Sequence, residues 1–146
     1  MATGKTNARW IVITLDDNTP TARIMSASIQ SISGMGLTHD TADVTGYSDG
    51  WHNITLGHPT SPIQVSGPVD NTANIGSHTV FSAICGDQTT THTLWVEIGI
   101  KAVPENGDPR WAGEYYCTSY TVNDDATYNA VLEPAAGTVG TWTVKS

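Results

Sequence analysis

Residues 40–70 read DTADVTGYSDGWHNITLGHPTSPIQVSGPVD, and this stretch decides the fold prediction. Its two ends have the β-branched, alternating composition of strands. Its middle is interrupted by Gly46, Gly50, Gly57, Pro59 and Pro62, residues that commonly end strands. The pattern therefore predicts a long loop over residues 46–62 that joins two strands.

This loop carries four large apolar side chains, namely Tyr47, Trp51, Ile54 and Leu56. Loops of more than about 12 residues are uncommon in compact domains and are usually functional or disordered. Disordered segments contain few large apolar groups. We therefore expect the loop to fold onto something, either its own domain or a neighbouring molecule.

The composition predicts a single, mainly β domain over residues 1–146. The 146 residues are enough for one hydrophobic core, and threonine, serine, glycine and valine suit strands and turns. No apolar run approaches the roughly 18 residues of a membrane span, and no export signal follows Met1. We expect neither a membrane partner nor secretion.

The net charge bears on the class of partner, and the cysteines bear on the cellular compartment. Fourteen acidic residues against six basic ones give a net charge of −8, which argues against a surface that grips nucleic-acid phosphates. Cys85 and Cys117 are far apart and lie in apolar segments. This favours buried thiols in a reducing compartment, with a buried disulfide as the alternative.

Outward from the loop, the pattern predicts about seven to eight strands and one helix. An N-terminal arm (1–8) precedes a hairpin made of residues 9–15 and 23–33. One helix is expected within residues 71–85, where Asn71, Asn74 or Ser77 could cap it and Gly86 would end it. Further strands are predicted at 61–66, 91–101, 111–122 and 126–132, before a C-terminal segment (134–146) that holds a short strand or arm. The fold class is a β-sandwich or partly closed barrel with a flanking helix.

The sequence lacks the patterns of an enzyme, a cofactor site or a metal site. The five histidines show no short-spaced pair of the kind that zinc sites use, and no Gly-x-Ser-x-Gly elbow is present. Asp40, Asp43 and Asp49 could pair as catalytic carboxylates, but solvation of turns is their commoner use. We therefore predict no catalytic, cofactor-binding or metal-binding residues.

The tryptophans divide between core and loop. Trp10, Trp95 and Trp111 lie in strand patterns, where a role in the core is expected. Trp51 lies in the loop and could instead form a sugar-binding platform with Tyr47. A carbohydrate-binding β-sandwich is therefore one alternative function.

Several short motifs together resemble the tail tube (major tail) proteins of long-tailed bacteriophages and gene-transfer particles. The resemblance rests on Ala42-Asp43-Val44-Thr45, Gly50-Trp51, Leu56-Gly57, the run Ile63-Gln64-Val65-Ser66-Gly67 and a helix after it. It covers residues 9–132 and includes the order of the elements. The resemblance implies a virion structural protein that forms six-fold rings stacked into a conduit for DNA.

The same resemblance implies the partners and the sites. The protein would contact itself and other tail or head proteins, and DNA would pass without adhering. It would be assembled in the host cytoplasm and located in the virion. The loop residues Tyr47, Trp51, Ile54 and Leu56 would join neighbouring rings, and Glu97, Glu114, Asp124 and Asp125 are candidate acids of a lumen that repels DNA.

One further function stays open beside the tube subunit and the carbohydrate-binding module, and so does a simpler role for the candidate lumen acids. Proteins of the same fold decorate capsids, terminate tails or serve as minor tail proteins without forming tubes. For each candidate lumen acid, simple solvation of an outer face is equally expected.

Overall fold

The computed structural model describes residues 3–100 and 103–146 and shows a mainly β domain with one α-helix. No helix in this part of the chain is long and apolar enough to span a membrane. The helix, α1, spans Ser77–Ile84. The strands are β1 Ile11–Asp16, β2 Ala22–Ile24, β3 Ser31–Ser33, β4 Thr38–Asp43, β5 Ile54–Thr60, β6 Ile63–Pro68, β7 His92–Ile98, β8 Pro109–Val122, β9 Thr127–Pro134 and β10 Thr141–Val144.

Eight strands form one antiparallel sheet that is organised around β8. The order is β2-β1-β7-β8-β9-β6-β3, and β10 also pairs with β8. The first half of β8 lies between β7 and β10, while its second half pairs with β9. This confirms the predicted hairpin of residues 111–122 and 126–132, and the last strand predicted within residues 141–145.

The two outer edges of this sheet are linked by the chain segment 22–33. Strand β2 pairs with β1 at one edge, whereas β3 pairs with β6 at the other. Between them, the Met25 N–H donates to the Ile13 carbonyl over 2.8 Å and the Gln30 N–H donates to the Ser66 carbonyl over 2.8 Å. The sheet therefore curls toward itself without closing into a barrel. The predicted first hairpin is correct only for β1 and β2, because residues 31–33 belong to the opposite edge.

The core lies on the concave face of the sheet and is covered by α1. The helix contributes Val80, Phe81 and Ile84, each no more than 1% exposed. Opposite them, the Trp111 Nε1–H donates to the Tyr115 hydroxyl over 3.0 Å, and this hydroxyl donates to the Ser61 carbonyl over 3.0 Å. A buried polar group costs little when it is hydrogen-bonded in this way.

The helix lies within the predicted range but has no side-chain cap. It begins after Gly76, and the Ser77 hydroxyl instead accepts the Asp70 N–H over 3.0 Å and donates to the Pro68 carbonyl over 2.9 Å. Neither Asn71 nor Asn74 caps the helix. At the other end, Gly86 has a φ of +86°, the left-handed conformation that glycine adopts readily after a helix. The predicted end of the helix is confirmed.

A repeated Asp-x-Thr pattern builds five turns of the domain. In each, the aspartate Oδ1 accepts both the backbone N–H and the hydroxyl of the threonine two residues later. The five pairs are Asp17/Thr19, Asp43/Thr45, Asp70/Thr72, Asp87/Thr89 and Asp125/Thr127. Five of the 14 acidic side chains therefore hold local turns.

Of the three tryptophans predicted in the core, one is fully buried. Trp111 is 0% exposed, whereas Trp95 is 38% exposed and Trp10 lies half-buried in a 3₁₀ turn, Ala8–Trp10. Trp95 alternates with the buried residues of β7 and therefore faces outward. There the Arg110 guanidinium carbon lies 4.4 Å from the centroid of the Trp95 ring, a cation–π contact.

Candidate assembly surfaces

The stretch that resembled a long loop is largely a two-stranded arm. Strands β4 and β5 pair as a separate antiparallel sheet with an irregularity between His39 and Thr41. The loop predicted over residues 46–62 is therefore wrong for residues 54–60, which are strand. Glycine and proline, here Gly57 and Pro59, weaken or interrupt a central strand. Both strands of the arm are edge strands, where proline is tolerated. We call residues 38–60 the arm.

The four predicted association residues all project from the arm into solvent. Tyr47 is 113% exposed, Trp51 79%, Ile54 59% and Leu56 62%. Ile54 and Leu56 share one face, since alternate residues of a strand point the same way. These four side chains therefore do not pack onto their own domain. Their contact with a neighbouring molecule stays a prediction.

Polar contacts within the turn of the arm, residues 44–53, hold it in one shape. The Asp49 Oδ2 accepts the Gly46 N–H over 2.6 Å and the Asn53 side-chain amide over 2.8 Å, while the Asn53 N–H donates to the Thr45 hydroxyl over 2.8 Å. These hydrogen bonds hold the pKa of Asp49 below its ordinary value, and those from Thr45 do the same for Asp43. Asp43 and Asp49 therefore stabilise the turn of the arm by hydrogen bonding, which is the common use of acidic residues in turns.

Glu97 lies in a buried charge cluster on the outer face of the sheet. Its carboxylate Oε2 is 3.3 Å from the Arg110 guanidinium and 3.0 Å from the Lys145 ammonium, and the Glu97 side chain is 8% exposed. A buried carboxylate needs such partners. The charge of Glu97 is therefore compensated, and its contact with Lys145 holds the C-terminal end of the chain against the sheet.

The other three candidate lumen acids are more accessible, and Glu114 lies far from the adjacent pair Asp124 and Asp125. The Glu114 carboxylate accepts hydroxyls from Thr91 over 2.8 Å and Thr93 over 2.7 Å. Asp124 and Asp125 lie in the turn between β8 and β9, and both are exposed. At about 3.3 Å per residue, this turn is roughly 30 Å along β8 from Glu114. The four acids form no single cluster in the described chain.

Two edge features were not anticipated from the sequence. Strand β10 places Trp142 and Val144 at 51% and 56% exposed. A groove of about 280 Å³ lies between the unclosed edges of the sheet, with a lining that includes Ile11, Ile29 and Ile32. The strands predicted around Ile11 and Ile32 are confirmed, whereas Ile29 directly follows a 3₁₀ turn, Ser26–Ser28, that interrupts the strand predicted over residues 23–33. Local sequence carries no information about which edges meet.

Among residues 3–100 and 103–146, no group of three or more histidine, cysteine, aspartate or glutamate side chains is placed to hold a metal ion. The surfaces that the described chain offers are therefore an apolar arm, open sheet edges and separate acidic positions. Exposed apolar groups and unpaired strand edges are features through which proteins can associate.

The fold is shared with proteins of contractile particles. No protein-family model and no curated protein sequence matches the chain. The solved structure of the tube-terminating cap of the anti-feeding prophage aligns with a TM-score of 0.68 and 17% identity, over 99% of this chain and 94% of that chain. A chain from the sheath/tube terminator of PVC, an extracellular contractile injection system, aligns with a TM-score of 0.63 and 15% identity, over 97% and 99%.

A third similar structure is the sheath–tube complex of PVC in its extended state. It aligns with a TM-score of 0.61 and 17% identity, over 95% of this chain and 93% of that chain. The alignments span nearly the whole of each chain. At this identity they establish a common fold, which is the fold that the sequence resemblance implied.

Proposed function

We propose that this protein is a structural subunit of a phage-tail-like particle and that it terminates the tube. Its copies form a closed ring, in which the arm of each copy contacts a neighbouring copy. The similarity in fold to a tube-terminating cap and a sheath/tube terminator supports this function. The observation that carries it is the arm itself, which exposes Tyr47, Trp51, Ile54 and Leu56 on an ordered hairpin.

The energetics of the arm favour a protein partner. Complete burial of one aromatic side chain removes about 150–250 Å² from water, worth about 4–6 kcal/mol before the costs of association. Contiguous apolar groups left in water promote aggregation. An arm with this composition is therefore best explained by an interface that covers it in the assembled particle.

The negative charge suits a ring through which DNA passes without adhering. The net charge is −8, and Asp124 and Asp125 lie at an exposed tip. In the ring we place these two residues and Glu114 toward the axis, where repeated copies repel phosphate. Glu97 contributes less, since two cations neutralise it. The partners are the protein itself and other tail proteins, in a particle assembled in the host cytoplasm.

A tube subunit is the second candidate function. The similarity to the PVC sheath–tube complex favours it, as do the open strand edges at β2, β3 and β10. In this case the rings would stack repeatedly instead of stopping after one. The two functions differ in axial growth, because a terminator forms one ring and a tube subunit forms many.

Assembly through the arm is tested by sedimentation velocity across a concentration series with two matched variants. Ile54→Ser changes the arm at a residue 59% exposed, and Ile24→Ser makes the same change on β2 at 60% exposed. Loss of about 1–2 kcal/mol of apolar burial should raise the assembly concentration of Ile54→Ser roughly tenfold. Ile24→Ser should assemble like the parent. Equal assembly of all three proteins, or no assembly of the parent, would refute the proposal.

A further inference from the structure

The two cysteines, far apart in sequence, are direct neighbours in the fold. Cys85 follows the last residue of α1, and Cys117 lies within β8. The two residues form an isolated parallel β-bridge, and the Gly86 N–H donates to the Cys117 carbonyl over 3.0 Å. Neighbouring strands lie about 4.7–4.9 Å apart, within the roughly 4.4–6.8 Å between the Cα atoms of disulfide-bonded cysteines.

The two thiols differ in access to solvent. Cys117 is 1% exposed, whereas Cys85 is half-buried at the end of the helix. Burial, followed by the charge of the adjacent Cys85, raises the pKa of Cys117 to about 12. Since the thiolate is the reactive form, Cys117 is slow to react with reagents from solution. Cys85 is the thiol that an external oxidant reaches first.

We propose that Cys85 and Cys117 are a site of reversible oxidation, at which small-molecule disulfides convert the two thiols into an intrachain disulfide. In the first step the Cys85 thiolate attacks one sulfur of the oxidant, which releases one thiolate and leaves a mixed disulfide on Cys85. In the second step Cys117 loses its proton and attacks the Cys85 Sγ, which releases the second thiolate. Each released thiolate takes up one of the two cysteine protons. Overall, two protein thiols and one oxidant disulfide become one protein disulfide and two small-molecule thiols.

The bond would fasten α1 to the longest strand of the sheet. The helix is otherwise held mainly by apolar contacts of Val80, Phe81 and Ile84. A disulfide that closes a loop of this kind restricts the unfolded chain and raises the melting temperature, here by roughly 6–12 °C. The particle subunit would therefore be more stable after exposure to an oxidising environment than before it.

The test treats the folded, full-length protein with oxidised glutathione and follows it by intact mass, peptide mapping and thermal unfolding. The expected sequence is a transient glutathione adduct on Cys85, then the loss of two hydrogen atoms from the parent mass and a linked Cys85–Cys117 peptide. The melting temperature should rise, and a reducing agent should reverse both changes. In the matched variant Cys85→Ser, neither the linked peptide nor the rise should occur.

Two results would overturn the proposal. One is that both thiols of the folded parent protein stay free under conditions that oxidise the denatured chain. The other is that only disulfides between chains form. The parent protein decides the question even if the variant folds poorly, because the linked peptide is sought in the parent.

Discussion

Replacing Trp51 with alanine should weaken assembly strongly and leave the monomer intact. The indole is 79% exposed, so its loss should cost the folded monomer no more than about 0.5 kcal/mol. If the exposed 79% of an indole surface of about 150–250 Å² is buried between subunits, it contributes about 3–5 kcal/mol at 25 cal/mol per Å². Ordering the side chain reduces this to about 2–4 kcal/mol.

This loss corresponds to an increase of about 30- to 700-fold in the concentration needed for assembly. Sedimentation velocity over a dilution series measures the midpoint, and thermal unfolding monitored by circular dichroism verifies that the monomer is folded. A matched control is Trp142→Ala on β10. The Trp142 side chain is 51% exposed and its ring packs edge-on against Trp111, with 5.1 Å between the two ring centroids. This variant should have a slightly lower free energy of unfolding, and it should assemble at the same concentration as the parent protein.

A folded Trp51→Ala protein that assembles at the parent concentration would refute the role of the arm. The same conclusion would follow if Trp142→Ala were the variant that failed to assemble. In that case the edge strand β10 would be the principal contact.

Three further predictions concern the stability of the subunit. Burial alone would raise the pKa of Asp17, but hydrogen bonds from Thr19 and Arg23 hold it well below its ordinary value; Asp17→Asn should cost about 1–3 kcal/mol at neutral pH. Glu97→Gln should cost about 2–5 kcal/mol, because it leaves two cations without their buried carboxylate. Gly140→Ala should cost about 1–3 kcal/mol, since an added Cβ would lie 2.1 Å from the Trp111 ring. Urea unfolding measures all three.

The pH dependence gives Asp17 a separate test. A carboxyl with a lowered pKa in the folded state stabilises the protein fully above its ordinary pKa, and this contribution is lost as the pH falls through the lowered value. Acid should therefore destabilise the parent more than Asp17→Asn. An equal loss of stability at acid pH in the parent protein and in Asp17→Asn would contradict the role of Asp17. A parent-like urea midpoint for Glu97→Gln or Gly140→Ala would contradict the packing described at those positions.

The strands with clear alternation could be predicted because their signal is local. In β7 the sequence placed His92, Leu94 and Val96 on one side, and all three are buried. The Asp-x-Thr repeat is equally local, and it could have located five turns before the structure was known. It would also have shown that much of the negative charge is used within turns.

The arm and the charge cluster depend on distant parts of the chain. Glycine and proline in residues 54–60 indicated a loop, but the absence of a second neighbour lets β5 tolerate them. The sequence predicted Glu97 to be an exposed acid on a strand, because no residue near it in sequence indicates that Lys145 contacts its carboxylate. Tertiary neighbours decide such positions, and one sequence by itself does not reveal them.

Negative-stain electron microscopy of the purified, untagged protein across a concentration series tests the central claim most directly. We predict closed rings of uniform diameter that do not lengthen as the concentration rises. Hollow tubes that grow along their axis would contradict termination and establish the tube subunit instead. Monomers at every concentration would contradict self-association through the arm.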